Sequence, residues 1–251
     1  MTLGDIGRPS TTDFFAEKGY AHVPSIGLAP EDFASARVLL DGLFDRFSSL
    51  PRRFAHDLGA SPESAGPPVL PEILEVSTLA PALRRTPVFR AAYALARQML
   101  GEQAFLVYDH AIYKPPGTSG TTSWHQDSGY DPKASDGLAI WIPFQDTGVI
   151  DGAMRYVPGS HLGGPMPHLS RTNPDGKVVK YLEVADSDAV DVPCELGGAT
   201  MHGLHTIHGA GPNLGGNVRR AWILDFEAMS PLRRAYRTSK RAVTSWTHAG
   251  R

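Results

Sequence analysis

"QAFLVYDHAIYK", residues 103–114, decides the fold class. It is rich in β-branched and aromatic residues, and it opens a series of similar short runs. After it come "TTSWHQD" (121–127), "GLAIWIPFQD" (137–146), "AMRYVP" (153–158) and "KVVKYLEV" (177–184). "DAVDVP" (188–193), "GATMHGLHTIH" (198–208) and "VRRAWILDFEA" (218–228) complete it. Turns built on Gly, Pro, Asp and Asn separate the runs. Helical patterns precede them. That order predicts a mainly β fold, a sandwich or barrel buttressed by flanking helices.

Upstream, "STTDFFAEKGYAHVPS" (10–25) reads as a short helix running into a strand, with Thr11 or Thr12 as cap and Gly19 as stop. In "APEDFASARVLLDGLFDRFSSL" (29–50), Phe33, Ala36, Leu40, Leu43, Phe44 and Phe47 recur at helical spacing behind Pro30. "VFRAAYALARQMLG" (88–101) is a third helix ending at Gly101. Residues 51–87 are rich in Pro, Ser, Gly and Ala and read as a long loop with one short element; 161–177 is a second long loop. Loops of such length are typically functional, so both are candidate lids. There is no internal repeat or linker. The expectation is one domain over 1–251: a helical part to about 102, a β core over about 103–228, and a C-terminal tail.

The 251 residues, 41% hydrophobic, suffice for one sizeable core. A formal net charge of −2 argues against a nucleic-acid partner, and "LRRAYRTSKR" (232–241) reads as a solvated tail. The single cysteine, Cys194, excludes an intrachain disulfide and a thiolate metal cluster, and reads as a small packed residue. No apolar run reaches membrane-spanning length, and the N-terminus lacks the charged-then-apolar pattern of a signal peptide. A soluble, cytoplasmic protein without a membrane partner is expected. Oligomeric state is not legible.

Two stretches carry chemistry. His125 and Asp127, two apart on an expected strand, face the same way and can reach one ion together. Alone, the pattern proves little. Three of the ten histidines, His202, His205 and His208, crowd into "MHGLHTIHGAGPN" (201–213). On one strand, His202 and His208 share a face and His205 points away; the turn after His208 places it at a strand end. Arg219 follows His208 by eleven positions. If the two strands are antiparallel neighbours, His208 and Arg219 meet at one end. Two neutral imidazoles and a carboxylate on one face of an octahedron leave three positions open, which suits Fe(II) in oxygenases. A bidentate 2-oxo acid and O₂ can fill them, and the acid's second carboxylate is matched by an arginine fork.

Four blocks in order resemble the phytanoyl-CoA dioxygenase family of Fe(II)/2-oxoglutarate oxygenases: "YKPPGTSGTTSWHQD" (113–127), "LAIWIPFQD" (138–146), "DGAMRYVPGSH" (151–161) and "HGAGPNLGGNVR" (208–219). The likeness spans about 106–226, with a looser stretch at "FFAEKGYAHVPSI" (14–26). It implies a double-stranded β-helix, or jelly roll. It implies Fe(II) on His125, Asp127 and His208, with 2-oxoglutarate and O₂ as co-substrates and Arg219 on the distal carboxylate. Trp141 and His110 would help line the co-substrate pocket, although His110 replaces another residue type. Ala210 stands where many members have Ser, so one hydrogen bond to the co-substrate is missing or comes from elsewhere. The implied reaction is oxidation, most simply hydroxylation, of a small-molecule C–H bond, with desaturation, epoxidation or rearrangement as other outcomes. Halogenases of this superfamily replace the carboxylate ligand to admit halide; Asp127 therefore predicts no halogenation.

Other residues have simpler readings. His202 has the right parity to be an alternative ligand, but with His205 it reads first as packing around the site. Arg220 faces away from Arg219 toward the surface or an ion pair. His161 hydrogen-bonds at a turn, and Lys114 braces the loop before the metal strand. Ser128 and Tyr130 begin the expected substrate wall; Tyr108 and Arg155 are further candidates. Two other classes compete: a non-catalytic jelly-roll binding protein, and a zinc hydrolase. The first has no use for a complete triad with an arginine, and the second lacks a general-base motif. The composition, rich in Ala, Gly, Pro and Arg, suggests bacterial specialised metabolism.

Overall fold

The computed structural model describes residues 10–61, 66–130, 137–231 and 233. Residues 1–9, which belong to the N-terminus read as lacking a signal-peptide pattern, and nearly all of the basic tail lie outside them. Helix α1 (Thr11–Lys18) is capped one residue earlier than expected: the Ser10 hydroxyl accepts from the Asp13 backbone N–H. Gly19, at φ 80°, ends it in the left-handed conformation that a residue without Cβ adopts freely. Strand β1 (Tyr20–Val23) follows. Helix α2 (Ala34–Phe44) is entered through a tight turn at Pro30–Phe33 and buries Ala36, Leu40 and Leu43. Each such leucine contributes about 1.5–3 kcal/mol when fully buried.

The described residues of the stretch 51–87, which are 51–61 and 66–87, hold more regular structure than their composition suggests. They hold β2 (Ala55–Asp57), β3 (Pro71–Leu74) and the one-turn helix α3 (Val76–Leu79). Strands of three and four residues are too short to show alternation. They exist because a partner is there: Glu72 pairs with Ile112 and Ile73 with Ala111 on the long strand that follows. The part before residue 102 is thus not purely helical; it adds three strands to the main sheet. Helix α4 (Pro87–Leu100) is capped by the Thr86 side chain and stops at Gly101.

The remaining strands are β4 (Ala104–Lys114), β5 (Thr122–His125), β6 (Gly137–Pro143), β7 (Met154–Tyr156) and β8 (Leu169–Thr172). After them come β9 (Val178–Tyr181), β10 (Val190–Val192), β11 (Ala199–Gly203), β12 (His208–Ala210) and β13 (Arg219–Ala228). A seven-stranded sheet runs β1-β11-β6-β13-β4-β3-β2, a four-stranded sheet β10-β7-β12-β5, and β8-β9 forms a hairpin. The second long loop expected at 161–177 contains β8, the first arm of that hairpin.

Strand alternation sorts the large sheet between two cores. Ala111, Tyr113, Ile140, Ile142, Met201, Trp222 and Leu224 pack under the helices. Ile112, Ala139, Trp141, Ala221 and Ile223 face Met154, Tyr156 and Ala210 of the small sheet. The result is a jelly roll of two antiparallel sheets, with helices on the outer face of the larger. "GATMHGLHTIH" is not one strand. It breaks at a turn, where Thr206 N–H donates to Gly203 O, and crosses from the large sheet to the small one. His202 and His208 therefore approach from opposite sheets. Nor are β12 and β13 neighbours; they face each other across the sandwich.

Candidate metal centre and its pocket

His125 ends β5 and His208 begins β12, and the two are directly opposite in the ladder. Asp127 lies just past the strand end, in the tight turn Asp127–Gly129. Its Oδ1 is 3.6 Å from Nε2 of His125 and 3.6 Å from Nε2 of His208. One ligand atom from each residue falls within 4.8 Å of the others. Neighbouring ligands about 2.1 Å from one ion stand about 3 Å apart, so small side-chain shifts close this set on a metal. Gln126, between the two, points the other way and is fully buried. Its amide donates to Gly164 O and His205 O and accepts from Met166 N–H, tying the 164–166 segment to the end of β5.

Proton placement suits a cation. His125 Nδ1 lies 2.8 Å from Ser123 O, and His208 Nδ1 2.9 Å from Thr206 O. A carbonyl only accepts, so each Nδ1 carries the hydrogen and each Nε2 presents its lone pair to the centre. Burial holds both imidazoles neutral, His208 strongly so, with the other imidazoles adding to the effect. For Asp127, burial pushes the carboxyl up, but His208, His202 and His125 outweigh it and keep the group well below the usual carboxylate range. Two neutral nitrogens and one anionic oxygen on a common point fit a divalent ion.

A cavity of about 380 Å³ opens over the centre. At one end lies Arg219, 2% exposed, with its guanidinium 5.5 Å above the Trp141 ring. Among the described residues it makes no hydrogen bond or ion pair, and burial pulls it down to about 9. Beside it in the ladder is Lys114, also buried. The Lys114 ammonium donates to Ala210 O and Gly211 O, so it braces the loop after β12 rather than the one before β5. Asn213 completes that loop, donating to Lys114 O and Asn217 O.

The opposite wall is polar. His110 sits on β4 directly opposite Ile223, four residues from Lys114, with Nδ1 2.8 Å from Glu72 Oε1. Lys177 approaches Glu72 at 3.4 Å from the hairpin. Tyr108 and Asp225 line the same end. Burial, then the Asp127 charge, raises Asp225 to about 8. The hairpin β8–β9 closes this end with Arg171, Lys177, Val179 and Lys180. It is fastened by Asn173 to Asp57 O, by Arg171 to Leu58 O, and by Tyr130, whose hydroxyl meets the Lys180 backbone. The two loops read as lids therefore meet here.

Tyr130 lines the cavity, edge-on to the His125 ring. Ser128 does not: the turn after β5 rotates its side chain into a buried site while its N–H donates to Leu204 O. Arg155 pairs with Asp186 and Asp191 and stacks on Trp124, away from the cavity. Arg220 pairs with Asp41, and His161 bonds Ala16 O, as their simpler readings expected. Glu72, Lys177 and Asp225 escaped sequence reasoning. Parity on β13 puts Asp225 on the face of Arg219, but nothing local marks it; Glu72 sits in a stretch read as a loop with one short element, and Lys177 where the second loop meets the next β run.

A jelly roll with a His-x-Asp…His cluster at the mouth of its small sheet, and a buried arginine beyond it, defines a class of non-haem metal oxygenase folds. The family model "Phytanoyl-CoA dioxygenase (PhyH)" matches residues 15–221, and the chain belongs to that family. In structure it is similar to EvdO2 from Micromonospora carbonacea var. aurantiaca, solved in complex with 2-oxoglutarate. The two share 31% identity at a TM-score of 0.70, covering 87% of this chain and 90% of that one. In sequence it is similar to a probable alpha-ketoglutarate-dependent hypophosphite dioxygenase of Stutzerimonas stutzeri, 32% identical over 52% of this chain and 47% of that protein. It is also similar to phytanoyl-CoA dioxygenase domain-containing protein 1 of Bos taurus, 30% identical over 54% and 51%. These matches span about half the length of the curated relatives. Among the described residues, no helix is long and apolar enough to cross a membrane.

Proposed function

We propose that this chain is an Fe(II)- and 2-oxoglutarate-dependent dioxygenase, folded as one domain, that hydroxylates a C–H bond of a small molecule. The observation that carries it is the pairing, in one cavity, of a neutral-His/Asp/neutral-His centre with a buried arginine lacking a partner among the described residues. A zinc hydrolase has no use for that arginine, and a binding jelly roll has no use for the centre.

His125 Nε2, His208 Nε2 and Asp127 would hold the ion, at the floor of the cavity that they line. When bound, the iron supplies the redox chemistry that couples decarboxylation of 2-oxoglutarate by O₂ to substrate oxidation. Arg219, whose guanidinium lies over the Trp141 ring, would pair the distal carboxylate of 2-oxoglutarate. Ile112, Ile223 and Met154 keep water from the reacting atoms. The polar wall of Glu72, His110, Tyr108 and Asp225, with Tyr130 and the hairpin, holds the substrate. Asp127 retains the carboxylate ligand, so the product is not halogenated.

Anaerobic addition of Fe(II) and 2-oxoglutarate is expected to give a visible absorption band, and air is expected to release succinate and CO₂. Asp127→Ala should abolish both. Zinc in the purified protein, with no band and no succinate, overturns the assignment. Chlorinated product in chloride buffer overturns the non-halogenating reading.

A further inference from the structure

Asp127 has two carboxylate oxygens, and the structure treats them differently. Oδ1 stands 3.6 Å from Nε2 of both His125 and His208. Oδ2 lies 3.2 Å from Nε2 of His202, which is 2% exposed. We propose that His202 is a positioning residue that donates its Nε2–H to Asp127 Oδ2 and so restricts the carboxylate to one-oxygen coordination of the metal. This rests on the function proposed above.

The proton arrangement follows from the partners. An ionised carboxylate only accepts, so His202 is the donor. Its Nδ1 is then the lone-pair side, and it faces the Tyr156 hydroxyl at 3.4 Å. That hydroxyl also lies 2.8 Å from Thr200 Oγ1. A single polarity satisfies the chain: Thr200 donates to Tyr156, Tyr156 to His202, His202 to Asp127. The array is rigid. The Tyr156 ring stacks on Tyr20 at 4.6 Å and 7°. The His202 ring lies 3.9 Å from that of His208. His202 and Thr200 belong to β11 in the large sheet, whereas Asp127 follows β5 in the small one. The carboxylate is thus set by the sheet that does not carry it.

Coordination arithmetic gives the restriction a purpose. Two imidazoles and a one-oxygen carboxylate leave three of six octahedral positions, two for a chelating 2-oxo acid and one for O₂. A two-oxygen carboxylate would leave only two, and the 2-oxo acid would fill both.

The test uses anaerobic Co(II) as probe, with affinity from calorimetry and coordination from the visible ligand-field spectrum, and with circular dichroism and thermal unfolding as folding controls. Three variants separate donor from bulk. His202→Gln keeps an amide N–H near the ring Nε2 position. His202→Asn has one that falls short of Oδ2, and His202→Leu has none. The expected result is near-wild-type affinity and spectrum for Gln, with Asn and Leu binding 10- to 100-fold more weakly and showing a changed spectrum. Should Leu fail to fold, the Gln–Asn comparison decides. Wild-type affinity and spectrum in Asn, or Gln falling with Asn, overturns the proposal. Wild-type protein that binds no Co(II) overturns the functional reading instead, and this inference with it.

Discussion

His208 and His125 stand directly opposite each other on adjacent antiparallel strands, with ring centroids 4.2 Å apart. Strand spacing alone brings the two imidazoles together; no loop has to close. Gly209 is what lets the strands approach. A Cβ there would lie 2.8 Å from Thr122 O and 3.3 Å from the Trp124 ring. Gly209→Ala must push β12 from β5, costing about 1–3 kcal/mol as overpacking does. The expected outcome is a lower melting temperature together with weaker metal binding. A variant that melts lower but binds Co(II) unchanged would show that the imidazole pair does not depend on this contact.

Arg219→Met separates binding from stability. Loss of a charge-assisted pair of about 1.5–3 kcal/mol should raise the KM for 2-oxoglutarate by about 10- to 100-fold, with kcat changed far less. Without co-substrate, the same change should raise the melting temperature, because it removes a buried cation that lacks a partner among the described residues. An unchanged KM counts against the assigned carboxylate site.

The Glu72–His110 pair sets a pH window. Burial pushes the Glu72 carboxyl up, but the His110 hydrogen bond and charge and the Lys177 charge bring it down to about 2 from 4.5. Its contribution is present above 4.5 and lost as pH falls toward 2. His110 is pulled down by burial but raised, on balance, above 6.5 by Glu72. Its contribution is present below 6.5 and lost as pH rises through its folded value. The melting-temperature difference between metal-free wild type and Glu72→Gln should therefore be largest between 4.5 and 6.5 and narrow on both sides. A difference independent of pH would exclude this coupling.

Asn173 is the hinge pin of the hairpin over the pocket. It is 4% exposed, donates to Asp57 O at 2.8 Å and accepts from Arg171. Asn173→Ala leaves the part-buried Asp57 carbonyl without that donor, at a cost of about 0.5–1.5 kcal/mol. Amide hydrogen exchange should quicken across residues 169–181 and stay unchanged in β11 and β13. Uniform quickening would mean that the hairpin does not open independently.

Much of this was legible from local pattern. Strand composition and turn residues marked β4 to β7, β9 to β11 and β13. Helical spacing marked α2 and α4. Side-chain alternation placed His125 and Asp127 together and separated Arg219 from Arg220, because a strand's period is fixed by its backbone. Family motifs then singled out His208 and Arg219. The short strands β2 and β3 were not legible, since pairing rather than propensity creates them. The same holds for Ser128, which a tight turn removes from the pocket wall.

What the sequence determined by itself is the inventory: which imidazoles, carboxylate and guanidinium are available, and which share a strand face. What only the tertiary structure decided is how they meet. "GATMHGLHTIH" reads as one strand, yet it changes sheets at Gly203–Thr206, so His208 joins His125 while His202 reaches Asp127 from the other side. Arg219 faces His208 across the sandwich rather than beside it. Glu72, from a segment without strand pattern, becomes the partner of His110. The reason is physical. Periodicity is encoded residue by residue, whereas the choice of sheet and of partner is made by burying two cores at once, over contacts distant along the chain.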